Sequence, residues 1–135
     1  MYFVLMLLVI GFISGVFTIR LAGRIGPILQ LFGVFMMGGT LLMFALCALL
    51  NPGVASTPEV EQPLLPQPFC STCQVYQACG TLHCPACGVC VRQRDHHCPW
   101  VGKCIGEGNV RSFNLFLLGL LGSTVYILVC GSMAK

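Results

Sequence analysis

The chain has 135 residues, about one domain's length, but 56% of them are hydrophobic and only 8% are charged. That composition excludes an ordinary soluble domain. A net charge of +3 supplies no basic field for nucleic acid, and none is expected as a partner.

Residues 1–19 carry no charge and lead to Arg20. A run of about 19 apolar residues crosses the hydrocarbon core as a helix, so a first span is expected here. A cleaved signal peptide would need a basic leading region and a shorter apolar core, and neither is present. Residues 28–50, ILQLFGVFMMGGTLLMFALCALL, make a second span, about 35 Å long as a helix. Its Met36-Met37-Gly38-Gly39 stretch suits close helix packing rather than metal binding, since small residues let backbones approach in lipid. The short connection RLAGRIGP makes the two spans antiparallel neighbours. Asn51-Pro52-Gly53 then ends the second helix, because proline cannot continue it and glycine suits the turn.

Residues 52–68 hold five prolines and two glutamates and are expected as an extended linker. Residues 69–111 form a Cys/His region whose Gly, Pro and paired cysteines suit short knuckles and turns. A third uncharged span runs from about Ser112 to Ala134, before Lys135. The expected architecture is an α-helical membrane protein of about three transmembrane helices. A small zinc-stabilised cysteine-rich domain sits in the loop between helices 2 and 3. The divisions are 1–51, 52–68, 69–111 and 112–135. No internal repeat stands out beyond the recurring C-x-x-C. The uncharged spans speak against a transporter, whose pathway needs polar intramembrane groups.

Arg92, Arg94, Lys103 and Arg111 lie on the Cys/His side, against Arg20, Arg24 and Lys135 on the other. Arg20 and Arg24 read as snorkelling anchors at a helix end. The basic excess and the need for reduced thiolates both favour a cytosolic loop.

Eight of the ten cysteines lie between Cys70 and Cys104, interleaved with all three histidines. Disulfides need no histidine, whereas zinc sites combine it with cysteine. Cys70-x2-Cys73, Cys84-x2-Cys87 and Cys87-x2-Cys90 are knuckle spacings, in which two sulfurs of a tight turn meet one metal. Two closed tetrahedra need eight ligands. Cys70, Cys73, Cys79, His83, Cys84, Cys87, Cys90, His96, His97, Cys98 and Cys104 supply eleven, so three are spare. Cys79 belongs to no paired spacing. The other two should come from Asp95-His96-His97-Cys98, since adjacent histidines do not easily serve one tetrahedron. A free histidine beside Asp95 with Cys98 nearby suits an activated thiol nucleophile, and a thiol at a membrane face suits acyl-thioester exchange. On spacing alone, a binding module in which every one of these groups is a ligand or structural stands equally open.

These residues also resemble a known family. The segment from Cys70 to Phe113 is similar to the cysteine-rich domain of the DHHC protein S-acyltransferases, the protein palmitoyltransferases. The likeness rests on Cys70-x2-Cys73, nine residues, His83-Cys84-x2-Cys87-x2-Cys90, four residues, Asp95-His96-His97-Cys98-Pro99-Trp100, then Cys104, Asn109 and Phe113. The flanking spans and Asn51-Pro52-Gly53 also look like the family, where Asp-Pro-Gly is usual. The resemblance implies one zinc on Cys70, Cys73, His83 and Cys90, and a second on Cys84, Cys87, His97 and Cys104. It implies that Asp95 and His96 activate Cys98, which takes palmitoyl or a related fatty acyl group from acyl-CoA and passes it to a protein cysteine. Trp100 would pack nearby, at the substrate or as an interfacial anchor.

The implied partners are the membrane, protein substrates with cytosolic cysteines, and a full-length acyltransferase or adaptor. The implied location is the endomembrane system (Golgi or ER) or the plasma membrane. The family's Lys-Pro-x-Arg stretch is replaced by Gln77, Ala78, Cys79 and Gly80; Arg92, Arg94 or Lys103 would either meet the coenzyme A phosphates in its place or, equally, be solvated or lipid-facing charges. Family members usually have a fourth span, so the pattern reads as a shortened form. The alternative reading is an inactive or regulatory membrane-anchored zinc-binding module.

Overall fold

The computed structural model describes residues 2–21, 23–55 and 67–133. Residues 56–66, most of the expected linker, lie outside the described residues, as do Ala134 and Lys135 at the end of the expected third span. The elements are α1 (Tyr2–Leu21), α2 (Pro27–Leu49), six short strands and α3 (Val110–Met133). Pro27 opens α2, where its missing N–H costs nothing. Among the described residues, α2 and α3 are long and apolar enough to cross a membrane, with mean hydropathies of 2.1 and 2.0; α1 contributes a shorter apolar stretch, Val4–Arg20.

The helices pack through α2 and α3. Thr40 and Ser123 are both buried, and their hydroxyls meet at 3.2 Å. Gly119 makes that approach possible: a Cβ there would stand 2.6 Å from Thr40 Oγ1. Farther along, the Tyr126 hydroxyl donates to the Leu29 carbonyl, and its ring stands edge-on to Phe17 and Phe32. Phe12, Ile28, Phe35 and Leu128 are exposed. In water they would form a costly apolar surface, whereas a bilayer solvates them.

The Cys/His region departs from the expected knuckles and turns in having regular strands. It folds as three antiparallel hairpins: β1–β2 (Phe69–Cys70, Val75–Tyr76), β3–β4 (Leu82–Cys84, Val89–Val91) and β5–β6 (His96–Cys98, Lys103–Ile105). A C-x2-C turn reverses the chain in the first two hairpins, and Cys98–Val101 forms the corresponding turn of the third, so the arms on either side lie close enough to pair.

The hairpins form an internal repeat, which corrects the expectation of none beyond C-x-x-C. Its period is fourteen residues. Cys70 pairs with Val75, Cys84 with Val89 and Cys98 with Lys103. Each turn closes with the same bond, from Gln74, Gly88 and Gly102 N–H to the carbonyls of Cys70, Cys84 and Cys98 at 2.8–2.9 Å. Those three donors all have positive φ, of 57°, 69° and 79°. Glycine takes this conformation freely; Gln74 does so at a cost of about 1 kcal/mol. The arms repeat as well: Phe69 faces Tyr76, His83 faces Cys90, and His97 faces Cys104.

Residues 52–55, at the head of the expected linker, are built into this domain. Val54 bridges Val91, Ala55 N–H donates to Cys90, and Arg92 N–H donates to Gly53. Asn51 Oδ1 accepts from the Gly53 and Val54 amides at 2.9 Å, closing the turn that leaves α2. Buried Ile105, Cys98 and Val101 then join Phe44 and Cys47 of α2 and Phe116 of α3 in one core.

Candidate metal centres and thiol site

Strand alternation divides the labour in the Asp95–Cys98 segment. Successive side chains of a strand point to opposite faces. On β5, His96 and Cys98 line one cavity, while His97 between them turns to a cluster of sulfurs. His97 Nδ1 lies 3.6, 3.3 and 3.9 Å from the sulfurs of Cys84, Cys87 and Cys104. The repeat places His83 Nδ1 at 3.7, 3.2 and 3.9 Å from Cys70, Cys73 and Cys90. Within each group all ligand atoms lie within 4.8 Å of one another.

These two clusters can hold metal ions, and their geometry fits zinc. Bond lengths of about 2.3 Å to sulfur and 2.0 Å to nitrogen give a tetrahedral S–N edge of about 3.5 Å. Each cluster takes its first two sulfurs from one hairpin's turn and its His/Cys pair from the next hairpin's arms. The groups are those expected from the sequence. Cys79 stands outside both, exposed.

The second cluster is electrostatically tuned. Burial disfavours a thiolate at Cys84, but hydrogen bonds from the Cys104 thiol and from Cys87 outweigh it and hold the thiol down at about 6. Burial, then hydrogen bonding to Cys84, pushes Cys104 up to about 12. In the first cluster burial raises Cys90 to about 11. Arg94 hydrogen-bonds Cys104, which raises its own pKa against a smaller opposing effect of burial.

On the other face of β5, Cys98 is only 5% exposed and borders a cavity of about 520 Å³. Volumes of roughly 300–1,000 Å³ are typical of small-ligand sites. Its walls are Met6 of α1, Pro99, Trp100 and Val101 of the third turn, and Phe113, Phe116, Leu117 and Leu120 of α3. Asp95 Oδ2 stands 3.5 Å from His96 Nδ1, and the His96 ring meets Phe113 edge-on at 5.3 Å. Trp100 lines the same cavity and is 55% exposed.

Two of the three basic residues weighed as replacements for the Lys-Pro-x-Arg stretch have structural partners. Arg92 pairs with Glu107 at 3.0 Å, and Lys103 Nζ donates to the Leu50 carbonyl at 3.1 Å. Sequence reasoning missed the role of Asn109. Fully buried, it donates to the Cys47 and Cys104 carbonyls and accepts from Gly106 N–H. It also missed the place of Val101, which the fourteen-residue spacing reveals.

A domain with two four-ligand Cys/His clusters, joined to apolar helices and holding a thiol against an apolar cavity, marks a membrane protein of the metal-knuckle type. A family model described as DHHC palmitoyltransferase matches residues 65–134, just over half of the chain, and the chain belongs to that family. Among curated proteins, it is 34% identical over 126 residues to Palmitoyltransferase ZDHHC5-B of Danio rerio, covering 80% of this chain and 19% of the relative. It is 38% identical over 58 residues to human Palmitoyltransferase ZDHHC23, covering 43% and 14%. With Palmitoyltransferase ZDHHC18 of Mus musculus it shares 45% identity over 62 residues, covering 46% and 16%. The chain thus spans a fifth or less of the length of these relatives.

Proposed function

We propose that the chain is the membrane-bound catalytic module of a protein S-acyltransferase, with Cys98 as the acyl-carrying residue. One observation carries this reading: His96 and Cys98 share a cavity with the helices while His97 faces the metal cluster. Asp95 orients His96, which takes the Cys98 proton. The thiolate attacks the carbonyl carbon of a fatty acyl-CoA thioester, and coenzyme A leaves as the thiol after His96 returns the proton. A protein cysteine, deprotonated by His96, then attacks the Cys98 thioester, and the Cys98 thiol is restored. This is covalent ping-pong catalysis. The apolar walls from α1 and α3, together with Trp100, hold the acyl chain. Zinc in the two clusters stabilises the fold, and the second cluster fixes His97 and Cys104, which flank the nucleophile in sequence. The domain faces the cytosol of an endomembrane or the plasma membrane, where protein substrates, an adaptor or a full-length acyltransferase can reach it.

The test is acylation of the purified zinc-loaded chain with labelled palmitoyl-CoA. A hydroxylamine-sensitive label that disappears in Cys98→Ser is expected; no label on the wild-type chain would refute catalysis by it. The engagement of Arg92 and Lys103 in structural contacts favours a second reading, a membrane-anchored zinc-binding module that assists another acyltransferase. That reading expects intact zinc content and stable association without label.

A further inference from the structure

The third hairpin repeats the knuckle without its metal. Cys98 stands where Cys70 and Cys84 stand in the earlier hairpins, with the same cross-turn pairing and the same turn-closing bond. The second sulfur of those knuckles, Cys73 or Cys87, is matched here by Val101. Each earlier knuckle is completed by the His/Cys pair of the next hairpin. After the third hairpin the chain enters α3 instead, and the positions fourteen beyond His97 and Cys104 are Arg111 and Leu118. Val101 is buried in the core shared with Phe44 of α2 and Phe116 of α3.

We propose that Val101 is a positioning residue that keeps Cys98 a metal-free thiol. It withholds the second knuckle sulfur, and it anchors the turn by apolar packing on the helices, where the other two turns carry metal-ligand sulfurs. A sulfur at this position would join Cys98 and the nearby His96 as a third ligand. Three protein ligands and a water suffice for zinc, so even without a His/Cys pair from a following hairpin a second knuckle sulfur would turn Cys98 from a nucleophile into a ligand. The proposal rests on the two clusters holding zinc and requires no acyl transfer.

The experiment measures alkylation of Cys98 by N-ethylmaleimide, read by mass spectrometry, in the full chain under a phosphine reductant and with graded free Zn²⁺. Metal content is measured first; a wild-type chain without two bound zincs would refute the cluster reading separately. In the wild type, added Zn²⁺ should leave Cys98 alkylation unchanged. In Val101→Cys, it should bind a third zinc equivalent and slow Cys98 alkylation about tenfold at free zinc near ten times the dissociation constant, as mass action requires. Val101→Ala should retain two zincs and show no such protection. Protection of Cys98 in the wild type overturns the proposal, and so does its absence in a Val101→Cys chain that retains its two zincs. If Val101→Cys fails to retain them, Val101→His puts a different ligand at the same turn and is read in the same way, beside the wild-type measurement.

Discussion

Asn109 hydrogen-bonds the carbonyl of Cys47, 62 residues away, at 3.1 Å. One end of this contact is the last turn of α2 and the other is the residue before α3. The same amide nitrogen reaches the Cys104 carbonyl, and the amide oxygen accepts from Gly106. One side chain therefore ties both helices to the hairpin that carries Cys98.

Asn109→Leu should destabilise the chain by about 3 kcal/mol, because it leaves buried carbonyls and an amide without partners. Thermal unfolding in detergent should show the loss. A midpoint unchanged from wild type would mean that the three bonds contribute nothing.

The alternation along β5 sets adjacent histidines apart experimentally. His97→Ala or Cys104→Ala should release close to one zinc and disorder the third hairpin. His96→Ala should keep both zincs and lose the Cys98 label. Metal analysis beside the acylation assay reads both, and equal zinc loss from His96→Ala would reverse the assignment.

Protons compete with metal for the same sulfurs. Cys84 is held down at about 6 while Cys104 is pushed up to about 12. At neutral pH the metal-free second cluster therefore has the Cys84 thiolate available but must lose a proton from Cys104 to close. Zinc affinity should fall as pH drops, and more steeply below about 6, where Cys84 also takes a proton. Zinc transfer to a chromogenic chelator at pH 5.5 and 7.5 measures this; equal transfer at the two values would exclude proton competition.

Gly108 packs against the backbone at the exit of α2. A Cβ there would stand 2.1 Å from the Asn51 carbonyl oxygen, which cannot move without opening the Asn51 turn. Gly108→Ala should cost about 3 kcal/mol through overpacking and reduce detergent-soluble folded protein. Gly88→Ala, with nothing near its Cβ, should cost only about 1 kcal/mol, from its positive φ. Parallel chemical denaturation curves separate the two.

Spacing made two Cys/His metal sites legible, because C-x2-C turns and interleaved histidines leave a mark in the linear chain; which residues form each set came from the family resemblance. The helices were legible from hydropathy, and their observed ends fall close to those expected. The partners of Arg92, Lys103 and Asn109 were not legible, since each depends on segments far apart in sequence meeting in three dimensions. The hairpins lay between these cases. Their fourteen-residue period is written in the positions of Cys70, Cys84 and Cys98. Reading each C-x-x-C by itself hides it, and the third copy carries a valine where a cysteine would have drawn notice.

The hairpins are wired in series. The middle one provides His83 and Cys90 to the first cluster, and Cys84 and Cys87 to the second. Loss of the first hairpin would open one cluster, whereas loss of the middle hairpin would open both. The link on which both clusters depend is thus a β-hairpin that holds none of the residues assigned to acyl transfer.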